Sequence, residues 1–368
     1  MRTIVNLTSQ LGDEIEFKII TGDRDALMEN PYAGIEVETW LKIQKVQVYY
    51  VDKNKLSFVR WRKLLNNEEY DVLYLNSLFS FWFSIKPIIL ARLGLLRTPQ
   101  ILMAPRGELG GGALGTKARK KKMFLAFARY AKLYQRVVFQ ASSRYEQADI
   151  IRVFGDQVRI VVAPDIPALV SDAEKPKLRK KDNFARFIYL GRIEPVKNLK
   201  GALLTLLRCK QYCELRIFGP IRDNTYWEEC KKLIVQMPKG INVKYIGEVD
   251  NSKIDEIFLS ADYLFLPSLG ENFGHVIYES LARGTPVLIS DQTPWKNLQA
   301  MNVGWDIPLG ATESWESAVS TCVSMSARNY ESMSRACLDY ARTFAHDSCL
   351  LKESFDLFDS FRSPLDMA

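Results

Sequence analysis

The sequence predicts an α/β protein built from two doubly wound domains, and three observations carry that prediction. Short apolar, β-branched runs alternate with helical segments along the chain, the mark of parallel sheets joined by crossover helices. The length, 368 residues, exceeds what one hydrophobic core usually serves. Residues 171–183, polar and charged with Pro176 among them, separate the elements into two halves as a linker would.

Strands are predicted over 16–20, 46–50, 71–75, 100–104, 136–140 and 159–162 in the first half. In the second half they fall at 185–190, 214–218, 243–246, 263–266, 286–290 and 305–307. The domain plan is therefore residues 1–170, a linker over 171–184, a second domain over 185–347 and a terminal segment over 348–368 that is apolar at helical spacing as far as Phe361. Sheets of this kind bind ligands beyond the carboxyl ends of their strands, in a cleft. The turns that follow the strands are where the chemistry is expected.

Composition narrows the function classes. Charged residues make up 25% and hydrophobic ones 47%, as in an ordinary globular protein, so disorder is not indicated. Fifty Lys and Arg against 43 Asp and Glu leave +7, which favours anionic ligands or an anionic membrane surface without calling for nucleic acid. The six cysteines, at 209, 213, 230, 322, 337 and 349, form no Cys-x-x-Cys pair and read as free thiols used as small core residues. With only His275 and His346 in the chain, no histidine-rich metal site is expected. Residues 1–7 carry no long apolar stretch ahead of a cleavage pattern, so a cytoplasmic protein is expected. The most apolar window, 78–96, is interrupted by Lys86, Pro87 and Arg92 and reads as a core or interfacial helix, not a membrane span.

The most informative stretch runs from Glu271 to Glu279: two carboxylates eight positions apart around a glycine-bearing turn, between a buried strand and a short amphipathic helix. A helix start offers backbone N–H groups to a phosphate or a sugar hydroxyl, and each acid can accept from hydroxyls. The competing reading is a pair of solvated helix-end acids. After the first strand of the second half comes Gly191, then Arg192 and Lys197 about a turn that leads into a helix near Asn198, an arrangement suited to a diphosphate. Gly219 with Pro220, and Gly247 with Glu248 and Val249, end two further strands, where glycine lets a flat ring approach the backbone.

Taken in order and spacing, these motifs, with Gly284-Thr-Pro-Val-Leu-Ile-Ser-Asp291 after them, resemble a nucleotide-sugar glycosyltransferase of family 4 with the two-domain GT-B architecture, specifically over about residues 185–310. The resemblance implies two Rossmann-like domains facing a central cleft. It implies that Glu271 contacts the donor sugar near the reacting carbon and that Glu279 holds the ribose hydroxyls. Arg192 and Lys197 would neutralise the departing nucleoside diphosphate, and backbone groups of Asn272, Phe273, Gly274 and His275 would hold donor phosphate and sugar. It further implies transfer with retention of configuration, no cofactor and no metal in the site, so that leaving-group charge is met by cations and N–H groups. The implied reaction moves a sugar from a nucleoside-diphosphate sugar to a hydroxyl of a saccharide acceptor, expected to be lipid-linked, in cell-surface polysaccharide assembly. Two rivals stand beside it: a non-catalytic nucleotide-sugar-binding or scaffold subunit, and another enzyme of the same architecture such as an epimerase.

The first half matches through Pro105-Arg106-Gly-Glu108-Leu and Gly112-Ala-Leu, with Arg106 and Glu108 as groups that orient an acceptor, or else as an ion-paired, capped loop. Asn76, at another strand end, is a further acceptor-side candidate. Three departures from the family's pattern stand out. The chain opens on what reads as a helix, so that the N-terminal domain is expected to lack the family's first strand; Gln140 stands where relatives often have histidine; and Asp165 follows Pro164 where the family has asparagine. Residues 117–130 join a basic cluster to an apolar, aromatic helical run. It reads either as a helix on anionic lipid, with Phe124, Leu125 and Phe127 inserted, or as one packed on its own sheet. Attachment at the inner face of the membrane is the corresponding expectation for location.

Overall fold

The computed structural model describes residues 2–24, 30–97, 100–110, 114, 118–168 and 179–361. The chain forms two compact units: Met1–Ile166 together with Ser348–Ala368, and Pro167–Asp347. Most of the sequence-predicted linker, and Gly112, lie outside the described residues.

In the first unit, α1 (Arg2–Leu11) leads into β1 (Phe17–Gly22), β2 (Trp40–Ile43) and β3 (Val46–Val51), then α2 (Phe58–Asn66). The described chain thus opens on a helix, as its first residues predicted. β4 (Val72–Asn76), α3 (Lys86–Arg92), β5 (Gln100–Ala104), α4 (Ala118–Tyr130), β6 (Val137–Ala141), α5 (Arg144–Phe154) and β7 (Arg159–Val162) follow. The strands form two sheets, β1-β3-β2 and the all-parallel β4-β5-β6-β7. β2 pairs antiparallel with β3 and has no counterpart among the predicted strands. It is only four residues long, half-buried at the first two and exposed at the last two, too short a run to mark a strand in the sequence.

Local chemistry explains the boundaries. Ser57 and Ser143 cap α2 and α5 by accepting from Arg60 N and Glu146 N. α5 stops at Gly155, whose φ of 87° suits glycine. The apolar window at 78–96 becomes a single π-helical turn over Phe81–Ile85 followed by α3, with Ile88 and Leu90 buried. Lys86, which interrupts that window in sequence, is buried with its ammonium over the Trp82 and Phe58 rings, 3.0 and 4.2 Å from their centroids. Among the described residues no helix is long and apolar enough to cross a membrane.

The second unit runs β8 (Ala185–Leu190), α6 (Leu199–Arg208), β9 (Cys213–Phe218), α7 (Asn224–Val235), β10 (Ile241–Gly247), α8 (Ile254–Leu259) and β11 (Tyr263–Leu266). It continues with α9 (His275–Leu281), β12 (Val287–Ser290), β13 (Gly304–Ile307), α10 (Thr312–Ser324) and α11 (Ala327–Ala345). All six strands are parallel, in the order β10-β9-β8-β11-β12-β13. The chain starts in the middle at β8, winds outward to β10, then returns to β11 on β8's other side. That reversal is a topological switch point, where doubly wound sheets bind ligands. β8, β11 and β12 are buried at every position, as near-continuous apolar runs in a sheet covered on both faces should be, with Arg186 of β8 paired to Asp262. Five of the six cysteines are buried and all six are thiols, as read from the sequence.

α12 (Ser348–Asp359) belongs to the first unit. Its Leu357 and Phe358 are buried with Leu7 and Leu11 of α1 and with Leu102 and Val138 of the sheet. Phe358 packs edge-on to Phe17 and Tyr74.

Candidate active site

The turns after β8 and β11, on either side of the switch point, are tied to each other by backbone. Leu269 N donates to Val196 O at 2.8 Å, and Ser268 Oγ donates to the same oxygen at 3.1 Å. Asn198 adds a third tie: its side chain accepts from Gly201 N at 3.1 Å, capping α6, and donates to Pro267 O at 2.9 Å. Its φ of 50° is the left-handed conformation that asparagine tolerates best after glycine. Asn198 and Ser268 were not singled out as site residues in the sequence; the signal available was an asparagine at a helix start, and its second bond joins residues 69 apart.

Those ties bring together two residues the sequence did single out. Lys197 Nζ lies 2.7 Å from each carboxylate oxygen of Glu271, with side chains 17% and 8% exposed. Glu271 is fixed from behind by its own N–H, which donates to Gln292 O at 3.1 Å. A pair this enclosed is screened by solvent far less than a surface one. Glu271 is therefore buried against its lysine. Arg192, on the same turn, is 55% exposed along its side chain and pairs with Glu194 at 2.9 Å. Beneath the turn Tyr189 donates to Arg192 O at 3.2 Å, and burial, with Glu271's charge among the lesser causes, holds its hydroxyl well above the usual tyrosine range.

The strand-end glycines are stitched side by side: Gly191 N donates to Phe218 O and Gly219 N to Gly247 O. Gly219 has φ 132°, and a Cβ there would stand 2.1 Å from Gly191 O, so it is glycine because the protein's own backbone crowds it. Gly247 needs glycine for its φ of 103° alone, since a Cβ would meet nothing within 4 Å. Val249 is half-buried and packs on the hydrophobic core of this unit.

Past Glu271, Asn272 is half-buried and Phe273 is buried in an aromatic cluster with Trp295, 5.7 Å between ring centroids. The Phe273 carbonyl accepts from Trp295 Nε1 at 2.6 Å. Gly274, φ 77°, would place a Cβ 2.8 Å from Ile277 Cδ1. His275 opens α9 with its ring 4.7 Å from that of Phe273. Glu279 is half-buried on the same helix, and its carbonyl accepts from Arg283 Nη1 at 2.9 Å, while Arg283 pairs with Asp255.

The acceptor-side candidates belong to the first unit and form a network of their own. Arg106, left-handed at φ 54°, donates through Nε and Nη2 to Asn76 Oδ1 at 3.1 and 3.0 Å. Its guanidinium also donates to the Asp165 carboxylate and the Tyr74 hydroxyl. Tyr74 in turn donates to Gln140, whose amide donates to Ala163 O at 2.8 Å. Gln140 and Asp165, two of the positions that depart from the family's pattern, are thus members of one cluster. Desolvation pushes the Tyr74 hydroxyl up to about 12. Glu108 accepts from Ser77 Oγ and from the N–H groups of Leu78 and Phe79, which is the capped-loop alternative. Glu146, buried, closes the neighbouring turn by accepting from Gly107 N, Ser142 N and Ser142 Oγ.

Among the described residues no group of three His, Cys, Asp or Glu is placed to hold a metal ion.

Known proteins share this fold. The fold is GT-B, two units with parallel α/β sheets, shared with solved glycosyltransferases. It resembles that of sucrose-phosphate synthase from Thermosynechococcus elongatus with TM-score 0.70 and 14% identity, over 97% of this chain and 92% of that one. It resembles that of the Anabaena protein HepE in complex with UDP and glucose with TM-score 0.67 and 14% identity, over 100% and 95% of the two chains. In sequence, residues 170–336 match the family of glycosyl transferases, group 1. That segment contains Arg192, Lys197, Glu271 and Glu279. The chain is 30% identical over 129 residues to phosphatidyl-myo-inositol mannosyltransferase of Mycobacterium leprae, and the match spans 33% of each protein's length.

Proposed function

We propose that the protein transfers a sugar, with retention of configuration, from a nucleoside-diphosphate sugar to a hydroxyl of a lipid-linked saccharide in cell-surface polysaccharide assembly, as a member of glycosyltransferase family 4. The observation that carries the reading is the Lys197–Glu271 pair at the switch point of a doubly wound sheet, within the segment that matches the group 1 transferases. A diphosphate leaves with negative charge, so a cation must meet it and a carboxylate must stay at the sugar end. In this reading Lys197 stands between the two, neutralising Glu271 before the donor arrives and the β-phosphate as the bond to the sugar breaks. Arg192 adds a second cation from the more exposed side of the turn. Glu279 takes the ribose hydroxyls, and no metal or other cofactor is needed. A hexose donor is supported by the glucose found with HepE and by the mannosyl transfer named for the mycobacterial relative. Asn76, Arg106 and Glu108 serve the acceptor side by shaping loops, since each is engaged within the fold.

The protein would work in the cytoplasm at the inner membrane surface, and α4 supports this in a revised form. Leu125 and Ala128 are buried and Phe124 packs on Phe79, so those side chains serve the fold. Met123, Phe127 and Tyr130 are exposed instead, interleaved with exposed Lys120 and Arg129. Failure to float with anionic liposomes would remove the membrane part of the proposal, and flotation that persists unchanged in Lys120→Glu/Arg129→Glu would remove α4 as the attachment surface.

The test of the reaction is a screen of nucleoside-diphosphate sugars, read by release of the nucleoside diphosphate with and without saccharide acceptors. One donor should be turned over, and Glu271→Gln should abolish that turnover while leaving nucleotide binding measurable. Binding of a donor with neither transfer nor hydrolysis would overturn the enzyme reading in favour of a nucleotide-sugar-binding subunit.

A further inference from the structure

A cavity of about 610 Å³ lies at the far edge of the second unit's sheet, along β13 and beneath α10, and β12 separates it from β11 and the Glu271 turn. Its volume falls within the range of small-molecule sites, about 300–1,000 Å³. One wall is a single face of α10, where Ser314, Ser317 and Thr321 recur at helical spacing. The opposite wall is the turn that carries Gln299 and Asn302. The floor is apolar, with Trp305 and Met333.

The wall opposite α10 is held rigidly. Asp306 accepts from Leu298 N at 2.9 Å and from Asn297 N at 3.1 Å, and Val303 N donates back to Leu298 O at 3.0 Å. Asn297 and Asn302 are both left-handed, at φ 58° and 55°. Against this fixed frame the side chains of Gln299, Asn302, Ser314 and Ser317 are exposed into the cavity and take no hydrogen bond from other described residues. Thr321 donates to Ser317 O, which leaves its own oxygen to accept.

The lining contains amides, hydroxyls and one carboxylate, Glu313, and no lysine, arginine or histidine. A phosphate or nucleotide is favoured by cations, whereas this lining has none and carries the negative charge of Glu313, and a site for a lipid tail would not present this many donors and acceptors. Neutral amides and hydroxyls around an apolar floor match a ligand with hydroxyls at its rim and C–H groups on its faces. We propose that this groove is a second binding site, for a segment of neutral oligosaccharide, which tethers a saccharide chain to the second unit away from the Lys197–Glu271 pair. The inference goes beyond the transfer reaction and stands or falls apart from it.

The experiment uses the full chain with maltotriose and mannotriose as probes, followed by saturation-transfer NMR, and UDP titrated into the same samples. Saturable binding of at least one trisaccharide at millimolar concentration is expected. It should weaken about tenfold or more in Ser317→Trp, which fills the groove from an exposed helix position, and by a smaller factor in Gln299→Ala. The nucleotide affinity of both variants should equal that of the unaltered chain. Absence of trisaccharide binding up to about 10 mM, or equal affinity in all three proteins, would overturn the proposal. The UDP titration keeps the two readings apart: a chain that binds trisaccharide but no nucleotide supports the groove while counting against the donor site.

Discussion

Each unit of the molecule places a cation against a carboxylate just beyond its parallel strands, yet the two pairs are built differently. In the first unit Arg106 has its guanidinium shared among Asp165, Asn76 and Tyr74, and Tyr74 is itself bound by Gln140. In the second, the Lys197 ammonium is bonded, among the described residues, to Glu271 alone, on a flexible stem and with a third donor to offer. A planar fork saturated by neighbours is a strut. A point charge on a mobile stem can change partners when an anion arrives.

That contrast can be broken experimentally, beginning where the effect should be largest. Lys197→Ala should lower turnover about 100-fold or more, the scale of losing one preorganised group that stabilises developing charge, with nucleoside diphosphate release as the readout. If Lys197→Ala and Arg106→Ala reduce turnover equally while both stay folded, the distinction between strut and exchangeable charge is wrong. Arg106→Ala should act on stability instead. It takes the cation away from Asp165, whose side chain is 6% exposed and keeps a hydrogen bond from Thr3 Oγ1 at 3.3 Å, and should cost about 3 kcal/mol in urea denaturation. Arg106→Lys should recover little of this, because an ammonium cannot reproduce the fork.

A smaller effect concerns pH. The folded protein keeps the Tyr74 hydroxyl protonated up to about 12, whereas the unfolded chain ionises it near 10. The unfolded state therefore loses its proton first, and the contribution, complete below pH 10, is lost as pH rises through about 12. Urea midpoints should fall across that window, and Tyr74→Phe should flatten the decline. Smallest of all, Arg192→Ala removes an exposed pair and should change stability by less than about 0.5 kcal/mol, with only a modest loss of donor affinity by calorimetry.

The sequence made the second unit more legible than the first, for a physical reason. Buried parallel strands such as β8 and β11 are almost wholly apolar, Arg186 of β8 being neutralised by Asp262, so their ends, and the turns that carry Lys197 and Glu271, stand out in the chain. The first unit divides its strands between two sheets, and β2 is short and partly exposed, so neither the division nor that strand has a sequence signature. Side-chain pairing was the least readable. Lys197 and Glu271 were both singled out, but their contact across 74 residues depends on Asn198 and Ser268 tying two turns together. Gln140 and Asp165 looked like separate departures from a pattern until Tyr74 and Arg106 joined them.

The cysteines described with the fold have a practical corollary. Burial raises the thiols of Cys209 and Cys230 to about 11 and that of Cys213 to about 12, and Cys322 and Cys337 are fully enclosed. Only Cys349, on α12, is open to solvent. Since the thiolate is the reactive form and needs access, a maleimide dye should attach to the native protein at this one residue. A second cysteine introduced at Gly270, where an added Cβ meets nothing within 4 Å, would give the turn beside Glu271 its own fluorophore and let the arrival of a nucleotide be watched in real time.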